Sequence, residues 1–67
     1  MTKFYSDHAT VAAVGDVVLY VNAFGEYEIS SIKEFLPAGD GADTKLSDGE
    51  AVIIGNCKRI ATGQEVL

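Results

Sequence analysis

One cysteine and one histidine in 67 residues remove most of the chemistry that a small domain can carry. Cys57 has no second cysteine with which to close an internal disulfide. Together with His8 it falls short of the four ligands of a structural zinc site. The core must therefore hold without staples, and at this size it supplies only about 3–5 kcal/mol, so the chain needs efficient packing or self-association.

Basic residues are scarce as well: 5 Lys and Arg stand against 10 Asp and Glu, for a net charge of −5. Lys3, Lys33, Lys45, Lys58 and Arg59 are scattered, only the last two being adjacent, so no stripe exists to neutralise phosphates. Direct contact with nucleic acid or with anionic lipid is disfavoured, and a protein partner with a basic surface is expected instead. Long apolar runs are missing too. The start, Met1 to Asp7, has no apolar core of a signal peptide, and the longest apolar run is five residues, Val17 to Val21, too short to span a membrane. The expectation is a soluble cytoplasmic protein, and a lone cysteine agrees with a reducing compartment.

Catalytic, metal and nucleotide motifs are not found. Residues 40–50 carry four acids, Asp40, Asp43, Asp48 and Glu50, but without the alternating order and central glycine of a calcium loop. Gly39-x-Gly41 has no lysine at the spacing of a phosphate-binding loop and would face phosphates with aspartates. Cys57 and His8 lack an oxyanion motif and a cleft, which favours a partly buried thiol and a solvent-facing histidine. Ser30-x-x-Lys33 has no companion motif. A non-enzymatic protein without cofactor or metal is expected.

What is present is the composition of a folded domain, 48% hydrophobic and 22% charged, in one unit spanning 1–67. Val17 to Asn22 is the firmest strand, β-branched or aromatic for most of its length. Both of its faces are apolar: Val17, Leu19 and Val21 are assigned inward, which leaves Val18 and Tyr20 on a second face needing cover by a helix, a closed barrel or another chain. Two readings stand for Tyr20, as a cover over the sheet beside Phe35 or as the centre of an interface. Asn22-Ala23-Phe24-Gly25 makes a turn, and Glu26 to Ser30 alternates, with Tyr27 and Ile29 on one face and Glu26, Glu28 and Ser30 on a wet one.

Elsewhere the signals are local. Lys3 to Ser6 reads as a short edge strand. Residues 8–14 read either as one or two helical turns capped by Ser6 or Asp7, or as an extended lead-in to the next strand. Ser31-x-x-Glu34 with Ile32, Phe35 and Leu36 predicts a helical turn ended by Pro37, the alternative being a strand that continues through a bulge to Leu36. Residues 37–44 are an exposed, flexible loop. Asp48-Gly49 is a tight turn, Val52-Ile53-Ile54 a central strand, and Asn56 to Thr62 a last strand anchored by Ile60.

These readings give a mainly β fold of about four or five short antiparallel strands, an SH3-like or open barrel or a sheet with one or two short helical turns. The expected mode of action is docking on a larger protein or assembly through Val18, Tyr20 and Phe24 with an acidic rim of Glu26, Glu28, Asp40 and Asp43. One version is an inhibitor of the type phages make against host nucleic-acid machinery, acting in the host cytoplasm, with carboxylates occupying a surface built for phosphates. The rival is a structural subunit that self-assembles, such as a virion component.

Overall fold

Val17–Val21 forms strand β1, and its two neighbours decide which of its apolar faces is buried. In the computed structural model, which describes residues 3–37 and 41–63, β1 pairs antiparallel with β2, Tyr27–Phe35, on one side and with β5, Lys58–Ala61, on the other. Strand β3, Thr44–Leu46, joins the far half of β2, and the two-residue β4, Ala51–Val52, lies outside it. The result is one five-stranded antiparallel sheet in the order β4-β3-β2-β1-β5.

The sheet bends because β2 is shared. Its first half, residues 27–31, pairs with β1, and its second half, from Ile32 to Phe35, pairs with β3. Register shifts occur between Ile32 and Glu34 and between Val17 and Val18, where an extra residue kinks the strand and increases its twist. A 3-10 turn, Ile54–Asn56, precedes β5. This order is consistent with the SH3-like curl expected, and the Cα radius of gyration, 10.9 Å, matches the roughly 11 Å of a compact chain of this length.

The core lies inside the bend. Val18 at 0% exposure and Tyr20 at 2% belong to it with Ile32, Leu46 and Ile54, and Phe35 and Val52 pack against them. The faces of β1 are therefore opposite to the sequence assignment. Val18 and Tyr20 point inward, Val21 is exposed, and Tyr27 and Ile29, across from Val21 and Leu19, are exposed with it. Tyr20 takes the covering role. A period of two fixes which residues share a face but not which face is wet.

Three local expectations are also corrected. Residues 31–35 are strand, the bulged alternative, because Ser31 and Ile32 enter main-chain bonds on both sides: the Ile32 amide donates to the Asp16 carbonyl at 2.9 Å and the Ser47 amide to the Ser31 carbonyl at 2.9 Å. The Ser31 hydroxyl pairs with the Ser47 hydroxyl at 2.7 Å instead of capping a helix. Val52-Ile53-Ile54 is not a central strand: β4 is an edge, Ile53 is exposed and Ile54 enters the 3-10 turn. Ile60 is half exposed and anchors nothing, since Cys57 just before β5 supplies the buried side chain there.

The helical reading of 8–14 gives way to the extended one. Phe4 bridges Val11 in antiparallel fashion, the Tyr5 amide donates to the Thr10 carbonyl at 3.0 Å, and Ala12 to Lys3 at 2.8 Å. Asp7 holds the loop between these arms, accepting from the amides of Ala9 and Thr10 and from the Thr10 hydroxyl. Ser6, whose amide donates to the Cys57 carbonyl at 3.0 Å, ties this small hairpin to the entry of β5.

Candidate functional site

The outer face of the β1–β2 hairpin is the surface that the packing leaves uncovered. Cross-strand partners share a face, so Leu19 with Ile29 and Val21 with Tyr27 form two successive apolar rungs. Lys58 extends the first rung, because it pairs with Leu19 from β5. Beyond the second rung comes the turn, where Asn22 Oδ1 accepts from the amides of Phe24 at 2.9 Å and Glu26 at 3.0 Å. Phe24 at 87% exposure, Tyr27 at 74%, Ile29 at 64% and Val21 at 52% make one patch. Two nearly free aromatic side chains, each of about 150–250 Å², place it in the range of about 300–600 Å² in which the largest surface patch of a monomer is often functional.

Behind that hairpin, acids converge on the ring that the core holds. The Tyr20 hydroxyl donates to Asp48 Oδ2 at 2.5 Å and lies 3.0 Å from Glu28 Oε2. One phenolic proton serves one carboxylate at a time, so the two share it. The bond to Asp48, with burial and the second bond to Glu28, pushes the Tyr20 phenol above its ordinary range. The same bond holds the Asp48 carboxyl down against the opposing effect of burial. Asp48 Oδ1 accepts from the Glu50 amide at 3.0 Å, so Glu28, Asp48 and Glu50 form an acidic edge where the β3–β4 turn meets the hairpin.

Of the side chains expected to bind a partner, Phe24 and Glu26 stand exposed at the hairpin tip, and Glu28 lies beside Tyr20. Val18 and Tyr20 offer no docking surface, since the core claims both. Asp40 lies outside the described residues. Asp43 is half-buried and holds segments together: Oδ1 accepts from the Ile54 amide and the Thr44 hydroxyl, each at 3.0 Å, and Oδ2 pairs with Lys3 Nζ at 3.4 Å. Burial pushes its carboxyl up, and the bonds from Ile54 and Thr44 with the Lys3 charge outweigh that and hold it below the usual range.

Sequence reasoning missed the patch and two acids. The alternation places Tyr27 and Ile29 on one face correctly but takes that face as the inner one, and it gives Asp48 no role beyond a turn former and one acid of the 40–50 loop. Asp16, read as punctuation before β1, is buried. Its Oδ2 accepts from the Tyr5 hydroxyl at 2.7 Å and the Ala13 amide at 3.1 Å, and its Oδ1 from the Gly63 amide at 3.2 Å. Burial, with the bond to Asp16, raises the Tyr5 phenol. A lone Asp before a strand carries no sequence signal for such distant donors.

His8 and Cys57 are not brought together. His8 sits exposed on the Asp7 loop with a left-handed φ of 59°. Cys57 is buried, its thiol donating to the Ile53 carbonyl at 3.5 Å, and burial followed by the Asp43 charge raises its pKa. Among the described residues no group of three or more His, Cys, Asp and Glu is placed to hold a metal ion, and no helix is long and apolar enough to cross a membrane. A depression of about 360 Å³ is lined by Tyr5, Asp7, Lys58 and Arg59, residues of both charge signs. Comparison with known proteins returns no match to a family model, to a curated protein or to a solved structure.

Proposed function

We propose that the chain is a non-enzymatic protein-binding domain that acts by docking, with the outer face of the β1–β2 hairpin as its contact. The exposed apolar patch of Val21, Phe24, Tyr27 and Ile29 carries this reading. A chain with so little core gains nothing for its own stability by leaving two aromatics in water, whereas such side chains on a rigid turn are anchors for a partner's pocket. The acidic edge of Glu28, Asp48 and Glu50 supports a partner with a basic surface, drawn in by long-range attraction. The buried, unpaired thiol supports action in a reducing compartment, the cytoplasm.

The test uses the partner captured from the native source. Tyr27→Ser and Ile29→Ser are expected to raise its dissociation rate, and Glu28→Lys and Glu50→Lys to slow association and flatten its salt dependence. Binding indifferent to both classes of variant overturns the reading. The acidic edge also supports the narrower version, a phage-type inhibitor occupying a host surface made for phosphates. In that case nucleic acid competes with the protein for the same target.

A further inference from the structure

The sheet ends on two edges, β4 and β5, and only one of them is guarded. β5 carries Lys58 and Arg59, and the Ser6 amide ties the N-terminal hairpin to its entry. Charges and covering segments are what keep an edge from pairing with another chain. β4 has neither: Ala51, Val52 and the Ile53 that follows are apolar, and Ala51 and Ile53 are exposed. The ladder defines what that edge offers. The Leu46 amide donates to the Glu50 carbonyl at 2.8 Å and the Asp43 amide to the Val52 carbonyl at 3.1 Å, so Glu50 and Val52 face β3. Ala51 lies between them opposite Lys45, and alternation along an antiparallel pair turns its N–H and C=O off the sheet. Ile53 stays extended, with a φ of −91° and a ψ of 114°. Its N–H follows on the same side, while its carbonyl accepts from the Asn56 amide at 2.9 Å. No described residue meets the N–H and C=O of Ala51 or the N–H of Ile53.

Along that edge runs a groove of about 440 Å³, lined by Ala51, Val52 and Ile53 and by Tyr20 and Val21 at the end of β1, and no charged side chain lines it among the described residues. We infer that the groove takes an extended segment of the partner protein, which adds to β4 as a further strand. The inference rests on the chain being a protein-binding domain and names how the partner is held. Three features select that occupant. The edge presents a donor, an acceptor and a donor over three residues, about 7 Å, and an extended main chain answers with the reverse order at that spacing. The uncharged walls suit apolar side chains at alternate positions of the segment, since a charge there would lose its water without gaining a partner. Val21 belongs both to the groove and to the exposed patch of Phe24, Tyr27 and Ile29, so one partner covers the hairpin face and reaches β4 without a break. So short an edge limits the added strand to three main-chain bonds. The segment alone therefore binds weakly, and the hairpin contact supplies the rest.

Peptide display with random segments of about 8 residues probes the groove without the partner. Enriched peptides are expected to carry apolar residues at alternate positions. Adding one is expected to slow exchange of the Ala51 and Ile53 amide protons, which are fast in the free chain. Ala51→Pro removes a donor that the fold does not use, so it is expected to keep the circular dichroism spectrum and to weaken peptide binding at least about tenfold. N-methylation of the peptide repeats the test without touching the protein: methyl groups at alternate residues abolish binding, and those between are tolerated. No enrichment, binding indifferent to Ala51→Pro, or equal tolerance of every N-methyl group overturns the inference. So does a chain that dimerises in sedimentation velocity and turns monomeric with Ala51→Pro, because the occupant is then the same edge of a second copy. If the peptides fail while Tyr27→Ser still weakens the captured partner, the hairpin reading stands and the strand addition falls. The converse, peptides weakened by Ala51→Pro and a partner that ignores Tyr27→Ser, keeps the strand addition and removes the hairpin face.

Discussion

Asp16 is a buried carboxylate on which three segments of the chain converge. A buried carboxylate is costly unless its oxygens are fully engaged, and here three donors from three segments supply the engagement: Tyr5 from the N-terminal hairpin, Ala13 from the approach to β1, and Gly63 after β5. Removing the acceptor strands all three. Asp16→Ala is expected to lower unfolding free energy by about 3–5 kcal/mol, and Tyr5→Phe, which removes one donor and leaves the ring packed, by about 1–2 kcal/mol. Urea denaturation of the two variants checks the order as well as the size. Equal losses would mean that the ring, and not the carboxylate, holds the hairpin in place.

At the level of elements, the turn between β1 and β2 sets the hairpin. Gly25 has a φ of 78°, and a Cβ there would meet nothing within 4 Å, so Gly25→Ala isolates backbone strain from contact and is expected to cost about 1–2 kcal/mol. Gly63 is the opposite case: its φ is ordinary, but a Cβ would lie 3.1 Å from the Gly15 carbonyl carbon and oxygen. Gly63→Ala must push the two backbones apart and loosen the bond to Asp16. Thermal unfolding of both is expected to show Gly63→Ala as the less stable, with the difference reduced when Asp16 is also replaced.

Those same elements show what was legible in the chain. The β class, β1 and both tight turns follow from local chemistry: β-branched residues, Asn22 with Gly25, and Asp48 with Gly49. The sense of the faces does not, because Val17, Leu19 and Val21 are as apolar as Val18 and Tyr20. The choice is made by distant partners of Tyr20, among them Asp48, 28 residues on. Ser31 and Glu34 match a helix start, yet pairing of β2 with both β1 and β3 overrides the match. Of the docking residues, the tip was readable from exposure of a turn, while Asp43 was spent on holding Thr44 and Ile54.

For the whole molecule, the shifted groups define a window of stability against pH. The three hydrogen bonds to the Asp7 carboxylate, from the Thr10 hydroxyl and the Thr10 and Ala9 amides, lower its pKa to about 2. Asp43 and Asp48 are lowered as well. Groups lowered on folding stabilise the native state above their unfolded value, near 4, and lose that contribution as pH falls through the folded one. Exposure discounts the share from Asp7. Tyr5 and Tyr20 are raised, so their contribution is complete below about pH 10 and is lost above it. The urea midpoint is expected to be flat from about pH 5 to about pH 9 and to fall on either side. Tyr20→Phe should soften the alkaline fall; an unchanged alkaline limb would show that the phenol bonded to Asp48 does not contribute.

Because β2 belongs to both halves of the bent sheet, its middle is reached by solvent only when both halves separate. The Ile32 amide, bonded to the Asp16 carbonyl, sits at that crossing, and the Gly15 amide returns a bond to the Ile32 carbonyl. The edge strands β4 and β5 can fray without disturbing either bond. Amide protons in a deuterated solvent should therefore be replaced in a spatial sequence, from the edges toward β2, and the Ile32 proton should be among the last, its replacement rate reporting global rather than local opening.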